Sequence, residues 1–496
     1  MRRGRCVRSS AEDTVYALSS GRGVAGVAVI RISGPKAMGA LEALSVSSVV
    51  PAARVACMRR LRDPRTEEIL DEALVLRFEG PKSFTGEDVV ELHCHGGVAV
   101  VDGVLSALGE LGEGVRPADR GEFTRRAFAA GKLGLTEVEG LADLLLATTS
   151  SQRRQALSIM AGSLERRYAQ WREDVASIRA SAEAIVDFGD DVDGDVSTEE
   201  VMGPTVERIF LLRDDIRKAA DGSERGEAVR DGVKVVLAGA PNAGKSSLLN
   251  AIAQRPAAIV SDTAGTTRDV LEVNLNLGSV PVRLFDTAGL RGATAVDPVE
   301  IEGIRRATHL ITNAHVLCFV LDADDLSFDG LLSKEEEDDD RKTTSLIFVA
   351  NKSDKVDETA VVNNCKQHLE DFLDKEKDLS EAEKRRFTEA PWVATTALET
   401  TDSSGCETLL AELEKIVASR FATHDEEAPA ITRQRHRTHV LRCLEHLDRA
   451  ADVISVAPEL GAENLRLASL ELGRVVGAID VEDVLDHLFS DFCIGK

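Results

Sequence analysis

Gly239-Ala240-Pro241-Asn242-Ala243-Gly244-Lys245-Ser246-Ser247 fits the pattern G-x-x-x-x-G-K-[ST], and its flanks decide how it should be read. Before it runs Val233-Lys234-Val235-Val236-Leu237-Ala238, an apolar, β-branched stretch of strand length. After it runs Leu248-Leu249-Asn250-Ala251-Ile252, good helix formers with one apolar face. Strand, glycine loop and helix are the context in which this pattern cradles phosphates. Gly239 and Gly244 let the backbone close round an anion, with N–H groups at a helix N-terminus facing it. Lys245 would reach the β- and γ-phosphates, Ala243, Gly244 and Ser247 would line the loop, and the Ser246 hydroxyl would complete a magnesium shell. A chance glycine turn is the bland alternative, and the downstream motifs weigh against it.

The chain has 496 residues, room for about three domains. With 43% apolar and 29% charged residues it reads as a well-cored protein, and no apolar run has the roughly 20 residues needed to span a bilayer. Eight cysteines without a C-x-x-C pair indicate neither a zinc ribbon nor a disulfide framework and suit a reducing compartment. The arginine-rich start, Met1 to Ser10, reads equally as a transit-peptide remnant or a ragged end. A formal charge of −25 argues against bulk electrostatic coating of nucleic acid. Arg59-Arg60-Leu61-Arg62, Arg120 with Arg125-Arg126, and Arg433 to Arg437 are local basic clusters, each either a solvated face or a local RNA contact.

Residues 1–130 read as α+β. Val24 to Gly34, Ala73 to Phe78 and Asp88 to His93 have strand character, and Val98 to Leu111 has helical spacing. From Leu135 the texture turns helical: Thr136-x-x-Glu139 reads as a capping box, with Val138, Leu141, Ala142 and Leu145 on one face. Helical patterns continue to about Ala184, resume from Ser197 to Arg230, and return from Ile431 to the C-terminus. The expected layout is therefore multidomain. An α+β domain (1–130) precedes an all-α domain in two parts (131–230 and 421–496), and an α/β P-loop unit (231–420) is inserted between them. Lys334 to Lys342, a like-charge block, and the polar Lys375 to Arg386 read as surface insertions.

Three further stretches select guanine nucleotide. Asp286-Thr287-Ala288-Gly289 closes the strand Val282 to Phe285, where the aspartate would hold magnesium through water and the Gly289 amide would meet the γ-phosphate. Asn351-Lys352-Ser353-Asp354 follows the strand Leu346 to Ala350, and the Asp354 carboxylate can accept from guanine's N1–H and exocyclic amine, a donor pair adenine lacks. Thr396-Ala397 would supply a last base contact, with Leu398 where lysine is usual. Ser261 to Asp269 reads as a switch loop whose Thr267 would ligate magnesium, or as a plain Ser/Thr-rich turn. The position that holds a water-orienting glutamine in many GTPases is Leu290 here, so another group must stabilise the developing charge. The Asn242 amide oxygen could hold a monovalent cation beside the β/γ bridge and so serve catalysis with Lys245.

These motifs, with Arg31-Ile32-Ser33-Gly34, Ser83 to Asp88, His95-Gly96-Gly97, Gly121 to Phe128 and the terminal Cys493-Ile494-Gly495-Lys496, resemble the MnmE (TrmE) family of tRNA-modification GTPases over nearly the whole chain. The resemblance implies a homodimer whose GTPase domains pair across K+, held by Asn242, Ser261, Thr263 and Thr266. It implies a catalytic glutamate at Glu300, with Glu302 as fallback because this segment is two residues longer than usual. It implies a tetrahydrofolate one-carbon donor (5,10-methylene or 5-formyl) contacted by Arg31, Glu91, Lys132 and Lys496. Cys493 sits near that site in the family, although a structural cysteine is an equal reading. His93-Cys94-His95 has too few ligands for a metal site. The implied reaction adds a group to carbon 5 of the wobble uridine of certain tRNAs, with an MnmG-type flavin (FAD) partner in a heterotetramer that holds most of the tRNA. The implied location is mitochondrial or plastid in a eukaryote and cytoplasmic otherwise. The rival readings are an Era- or Der-like ribosomal GTPase and a folate transferase with a vestigial GTPase unit.

Overall fold

Strands and helices alternate in two separate stretches of the chain, and each stretch closes its own six-stranded sheet. The computed structural model describes residues 13–47, 49–188, 198–258, 272–287, 308–328, 331, 344–353, 358–376, 379–396, 404–421, 431–477, 482–492 and 494–496.

The first sheet is built from β1 (Thr14–Leu18), β2 (Ala25–Ser33), β3 (Cys57–Arg62), β4 (Ile69–Phe78), β5 (Val89–Gly96) and β6 (Val115–Pro117). Its order is β3-β4-β5-β2-β1-β6, antiparallel except for the β1–β6 pair. Helices α1 (Ala37–Leu44) and α2 (Val98–Gly109) cover one face. Alternation along β2 and β5 turns Ile30, Ile32, Val90 and Leu92 toward Leu41, Leu44, Val104 and Leu108 in a single core. The same alternation puts Arg31, Glu91 and His93 on the other face. The strands read from sequence fall on β2, β4 and β5, with Val24, Gly34 and Asp88 just outside them. β3 and β6 had little such signal, because β3 is half arginine and β6 is three residues long, while β1, TVYAL, went unread despite its strand formers.

Helices follow: α3 (Glu122–Ala129), α4 (Leu135–Leu146), α5 (Ser150–Met160), α6 (Ser163–Phe188), α7 (Thr198–Asp221) and α8 (Ser223–Asp231). The capping box expected at Thr136 and Glu139 is not there. α4 already begins at Leu135, the Glu137 carboxylate accepts from Gly134 N–H at 2.8 Å, and the Thr136 hydroxyl donates to Glu165 at 2.8 Å. A glutamate at the third position of the helix thus satisfies the end that the threonine would have capped.

The second sheet comprises β7 (Val233–Ala238), β8 (Glu272–Leu277), β9 (Val280–Asp286), β10 (Val316–Asp322), β11 (Ser345–Asn351) and β12 (Trp392–Ala394). Its order is β12-β11-β10-β7-β9-β8, parallel throughout except for the antiparallel edge strand β8. Helices α9 (Lys245–Ala253), α10 (Glu358–Lys375), α11 (Glu381–Thr388) and α12 (Ser404–Phe421) accompany it. Val235 and Leu237 pack with Leu248, Ile252, Leu409 and Leu413, while Phe319 and Phe348 pack with Leu369 and Leu373. Burial on both faces explains why these strands read as continuous apolar runs. Within the polar stretch expected to be an insertion, Ser380 and Glu383 form a capping box that starts α11, a helix with no fully buried residue.

Helices α13 (Gln434–Val453), α14 (Pro458–Val475) and α15 (Glu482–Asp491) complete the fold. α14 packs along α6, and α15 joins α3 and α4 through Leu135, Val138, Phe489 and Phe492. The chain divides into two compact units, one of residues 1–145, 157–212 and 442–496, the other of residues 146–156 and 213–441. No helix among the described residues is long and apolar enough to cross a membrane.

Candidate functional site

β7 stands between β10 and β9, so the carboxyl ends of the parallel strands bring the sequence motifs to one edge of the sheet. The loop after β7 depends on two glycines. Gly239 takes φ 137°, and a Cβ there would lie 2.1 Å from the Val320 carbonyl oxygen. Gly244 takes φ 90°, and its Cβ would lie 2.1 Å from Asn351 Nδ2. Asn242 is also left-handed at φ 67°, a conformation asparagine tolerates better than most residues, and its side chain is exposed. Gly244 is the N-cap of α9 and makes no side-chain cap, which leaves the helix N-terminus open to an anion.

Lys245 is buried, and its ammonium donates to the carbonyls of Gly239 at 3.0 Å and Ala240 at 2.7 Å. The loop's own carbonyls thereby hold the cation where phosphate oxygens would meet it. The Ser246 hydroxyl donates to Asp286 Oδ2 at 2.5 Å, and Asp286 is fully buried at the end of β9. Thr287 turns inward and donates to the Leu237 carbonyl at 2.9 Å, which ties the end of β9 to β7. Ala243 is buried and Ser247 exposed on the first turn.

On the base side, Asn351 Nδ2 donates to the Ala243 carbonyl at 2.8 Å, and the Thr395 hydroxyl donates to Asn351 Oδ1 at 3.2 Å. Lys352, at φ 63°, pairs with Asp322 at 2.6 Å at the end of β10. Ser353 donates through both its N–H and its hydroxyl to the Thr395 carbonyl, at 3.1 and 3.0 Å. Thr396 follows, half-buried. Sequence reasoning missed Asp322 and Thr395. Each closes a strand beside a recognised motif, and that position was the available signal. Ser261, Thr263, Thr266, Thr267, Ala288, Gly289, Leu290, Glu300, Glu302, Asp354, Ala397 and Cys493 lie outside the described residues, as does the acidic block at 334–342.

A second constellation lies in the first unit. Arg31 on β2 is paired in register with Glu91 on β5; Nε donates to Oε1 at 3.0 Å, and a second guanidinium nitrogen lies 2.9 Å away. The Arg31 guanidinium sits over the rings of Phe84 and Phe123, 5.2 and 5.7 Å from their centroids. His93 Nε2 approaches the other Glu91 oxygen at 3.5 Å. Lys132 donates to the Pro81 carbonyl at 2.8 Å, and Lys496 is half-buried. Cys94 faces the core, where burial pushes its thiol up to about 12. The His95 ring pairs with Asp71 at 2.7 Å.

Ser33, the Ser83–Asp88 loop and α3 are joined in a hydrogen-bonded framework. Ser33 hydrogen-bonds Thr85 and Glu87, both at 2.7 Å, and the buried Arg126 donates to Glu87 at 3.0 Å, Glu122 at 2.9 Å and the Asp13 carbonyl at 2.8 Å. Burial works against the Glu122 carboxylate, but Arg116, the Asp119 N–H and Arg126 together hold its pKa below the usual range. These residues lock the Ser83–Asp88 loop to α3.

An open helix N-terminus, a buried lysine and a serine–aspartate pair at the carboxyl edge of a parallel sheet define a P-loop nucleotide-binding protein. The family model described as the TrmE N-terminus of GTP-binding proteins matches residues 14–132, and the one described as the MnmE helical domain matches residues 135–493. The chain belongs to the MnmE (TrmE) family. It is 45% identical to the "tRNA modification GTPase MnmE" of Maricaulis maris over 97% of this chain and 99% of that protein. It is 43% identical to the mitochondrial "5-taurinomethyluridine-[tRNA] synthase subunit GTPB3" of Danio rerio, over 98% of this chain and 93% of that one. A ribosome-associated GTPase gives no account of the match over residues 14–132.

Proposed function

We propose that this chain hydrolyses GTP and, with a partner protein, takes part in modifying carbon 5 of the wobble uridine of certain tRNAs. One observation carries the reading: a complete phosphate cradle lies in a chain that is similar end to end to bacterial and mitochondrial tRNA-modification GTPases. Four parts follow from it, an α+β folate and dimerisation domain (1–130), a helical domain in two parts (131–230 and 421–496), and the GTPase domain (231–420).

Lys245 neutralises charge on the β- and γ-phosphates, and the amides of Ala243, Gly244, Ser246 and Ser247 orient them. The residues fit Mg2+. The Ser246 hydroxyl and the fully buried Asp286 carboxylate converge, and the Ser246 proton now satisfies an oxygen that a hydrated cation would otherwise face. Ser246, Asp286 and Thr267 would hold magnesium, which would supply charge neutralisation to the phosphates. Asn242, exposed and left-handed, offers its amide oxygen to K+ together with Ser261, Thr263 and Thr266 of a homodimeric arrangement. Glu300, with Glu302 as the neighbouring choice, positions the attacking water, and Asn351, Lys352, Asp354, Thr396 and Ala397 recognise guanine.

Arg31, Glu91, Lys132 and Lys496 form the site for a reduced-folate one-carbon donor. The carboxylate suits the pterin's donor edge, and the basic residues suit its glutamyl carboxylates. An MnmG-type FAD protein supplies the redox step and most of the tRNA surface, in keeping with the formal charge of −25. The reading places the protein in an organelle of a eukaryote or in bacterial cytoplasm.

The deciding experiment is GTP turnover in potassium and sodium chloride at matched ionic strength, together with in vitro modification of tRNA. Selective acceleration by potassium, abolished in Asn242→Ala, supports the cation-assisted mechanism. A Lys245→Ala protein that still modifies tRNA at the normal rate overturns the requirement for GTP.

A further inference from the structure

The last residues of the chain return to the first strand of the sheet. β6 pairs with β1 only over Thr14 to Tyr16, so the edge of β1 beyond Tyr16 is left without a strand. Ile494 and Gly495 cover it. Ile494 forms an antiparallel bridge with Arg120, and the Ser19 hydroxyl donates to the Gly495 carbonyl at 2.8 Å. Gly495 is buried at φ 99°, and a Cβ there would lie 2.1 Å from the Leu18 carbonyl oxygen and 3.0 Å from Ser19 Cα. Only glycine can approach the strand this closely with that backbone. Ser19 is itself fixed, since its N–H donates to the Val29 carbonyl at 2.7 Å while Ser20 accepts from Val29 N–H at 3.1 Å. The register gives the place its meaning. Ala17 stands opposite Arg31, Leu18 opposite Ile30, and Arg31 is paired with Glu91. The tail therefore ends one strand away from the Arg31–Glu91 pair.

We infer that Ser19 is a positioning residue for the reduced-folate site: with Gly495 it latches the chain's end to β1, so that Lys496 joins Arg31 and Glu91 in one composite site. The inference rests on the folate reading above. No covalent step is involved. With the latch loosened, Lys496 would meet the ligand only after losing the conformational freedom that the latch removes in advance.

The test separates the latch from the ligand. Carboxypeptidase B removes a C-terminal lysine, and its rate on the intact protein reads how firmly Lys496 is held. Binding of 5-formyltetrahydrofolate, followed by calorimetry, reads the site. Ser19→Ala and Gly495→Ala are expected to release Lys496 faster and to weaken folate binding about five- to tenfold, the loss of one hydrogen bond's net contribution. Ser19→Thr, which keeps the hydroxyl, is expected to restore both, and the melting temperature of Ser19→Ala should stay at the parent value. Equal release from parent and both variants overturns the latch. Faster release with unchanged folate affinity keeps the latch and overturns the assignment of Lys496 to the ligand.

Discussion

Asn351 reaches from the end of β11 across to the phosphate loop, where its amide donates to the Ala243 carbonyl at 2.8 Å. The residue that opens the base-recognition motif thereby also fixes the loop holding the phosphates, and Thr395 steadies its other end. Two motifs more than a hundred residues apart share one hydrogen bond.

Asn351→Ala should therefore weaken nucleotide binding through the phosphate loop as well as at the base. It leaves a buried carbonyl unpaired, a penalty of about 1–3 kcal/mol. Calorimetric titration with GDP should show affinity falling by about fivefold or more. Parent-like affinity would mean the loop holds its shape unaided.

Gly244→Ala should be worse. Its Cβ would lie 2.1 Å from Asn351 Nδ2 and break that same contact, at a φ of 90° that alanine tolerates poorly. The expected result is a folded protein, judged by circular dichroism, without detectable guanine-nucleotide binding. The double variant with Asn351→Ala should lose less than the sum of the two, because both remove one interaction.

Arg126 and Arg31 should behave in opposite ways. Arg126→Met removes one cation from the Glu122–Glu87 network, leaving Glu122 to Arg116 and the Asp119 N–H and Glu87 to Ser33, and should cost about 1–3 kcal/mol of stability, read as a lower urea midpoint. Arg31→Ala should move that midpoint far less, since its side chain is partly exposed, while folate binding is lost. A stability loss at Arg31 equal to that at Arg126 would reduce Arg31 to a framework residue.

His315 should make the second unit sensitive to acid. Its Nδ1 accepts the Lys234 N–H at 2.8 Å, and burial, aided by the charges of Lys234 and Arg420, pushes its pKa down from 6.5 to about 4. Because the folded value is depressed, the unfolded chain binds the extra proton between those two values. Stability from this group is full above pH 6.5 and declines as pH falls toward about 4. His315→Asn, which keeps an acceptor but does not titrate, should flatten the urea-midpoint profile over that window.

The nucleotide site was legible because its chemistry is local. A glycine that must adopt positive φ, a lysine one residue into a helix and a carboxylate closing a strand all leave fixed spacings in the chain, and Gly239, Gly244, Lys245, Ser246 and Asp286 fell where those spacings put them. The second sheet was legible for a similar reason, since strands buried on both faces must be apolar throughout. α4 shows the limit of local reading. Thr136-x-x-Glu139 satisfied the capping pattern, yet the helix started two residues earlier than that cap requires, because Glu137 could bond back to Gly134 while Thr136 found Glu165 on another helix.

By itself, then, the sequence determined the phosphate loop, the apolar strands and the long helices, features set by backbone conformation and burial within a few residues. Only tertiary structure decided the pairing of Arg31 with Glu91, the crossing of Asn351 to Ala243, the Asp322–Lys352 pair and the return of Gly495 to Leu18 and Ser19. Each joins residues that are distant in the chain through strand register or side-chain reach. No short-range propensity records such a contact, because its energy exists only once the sheet that aligns the partners has formed.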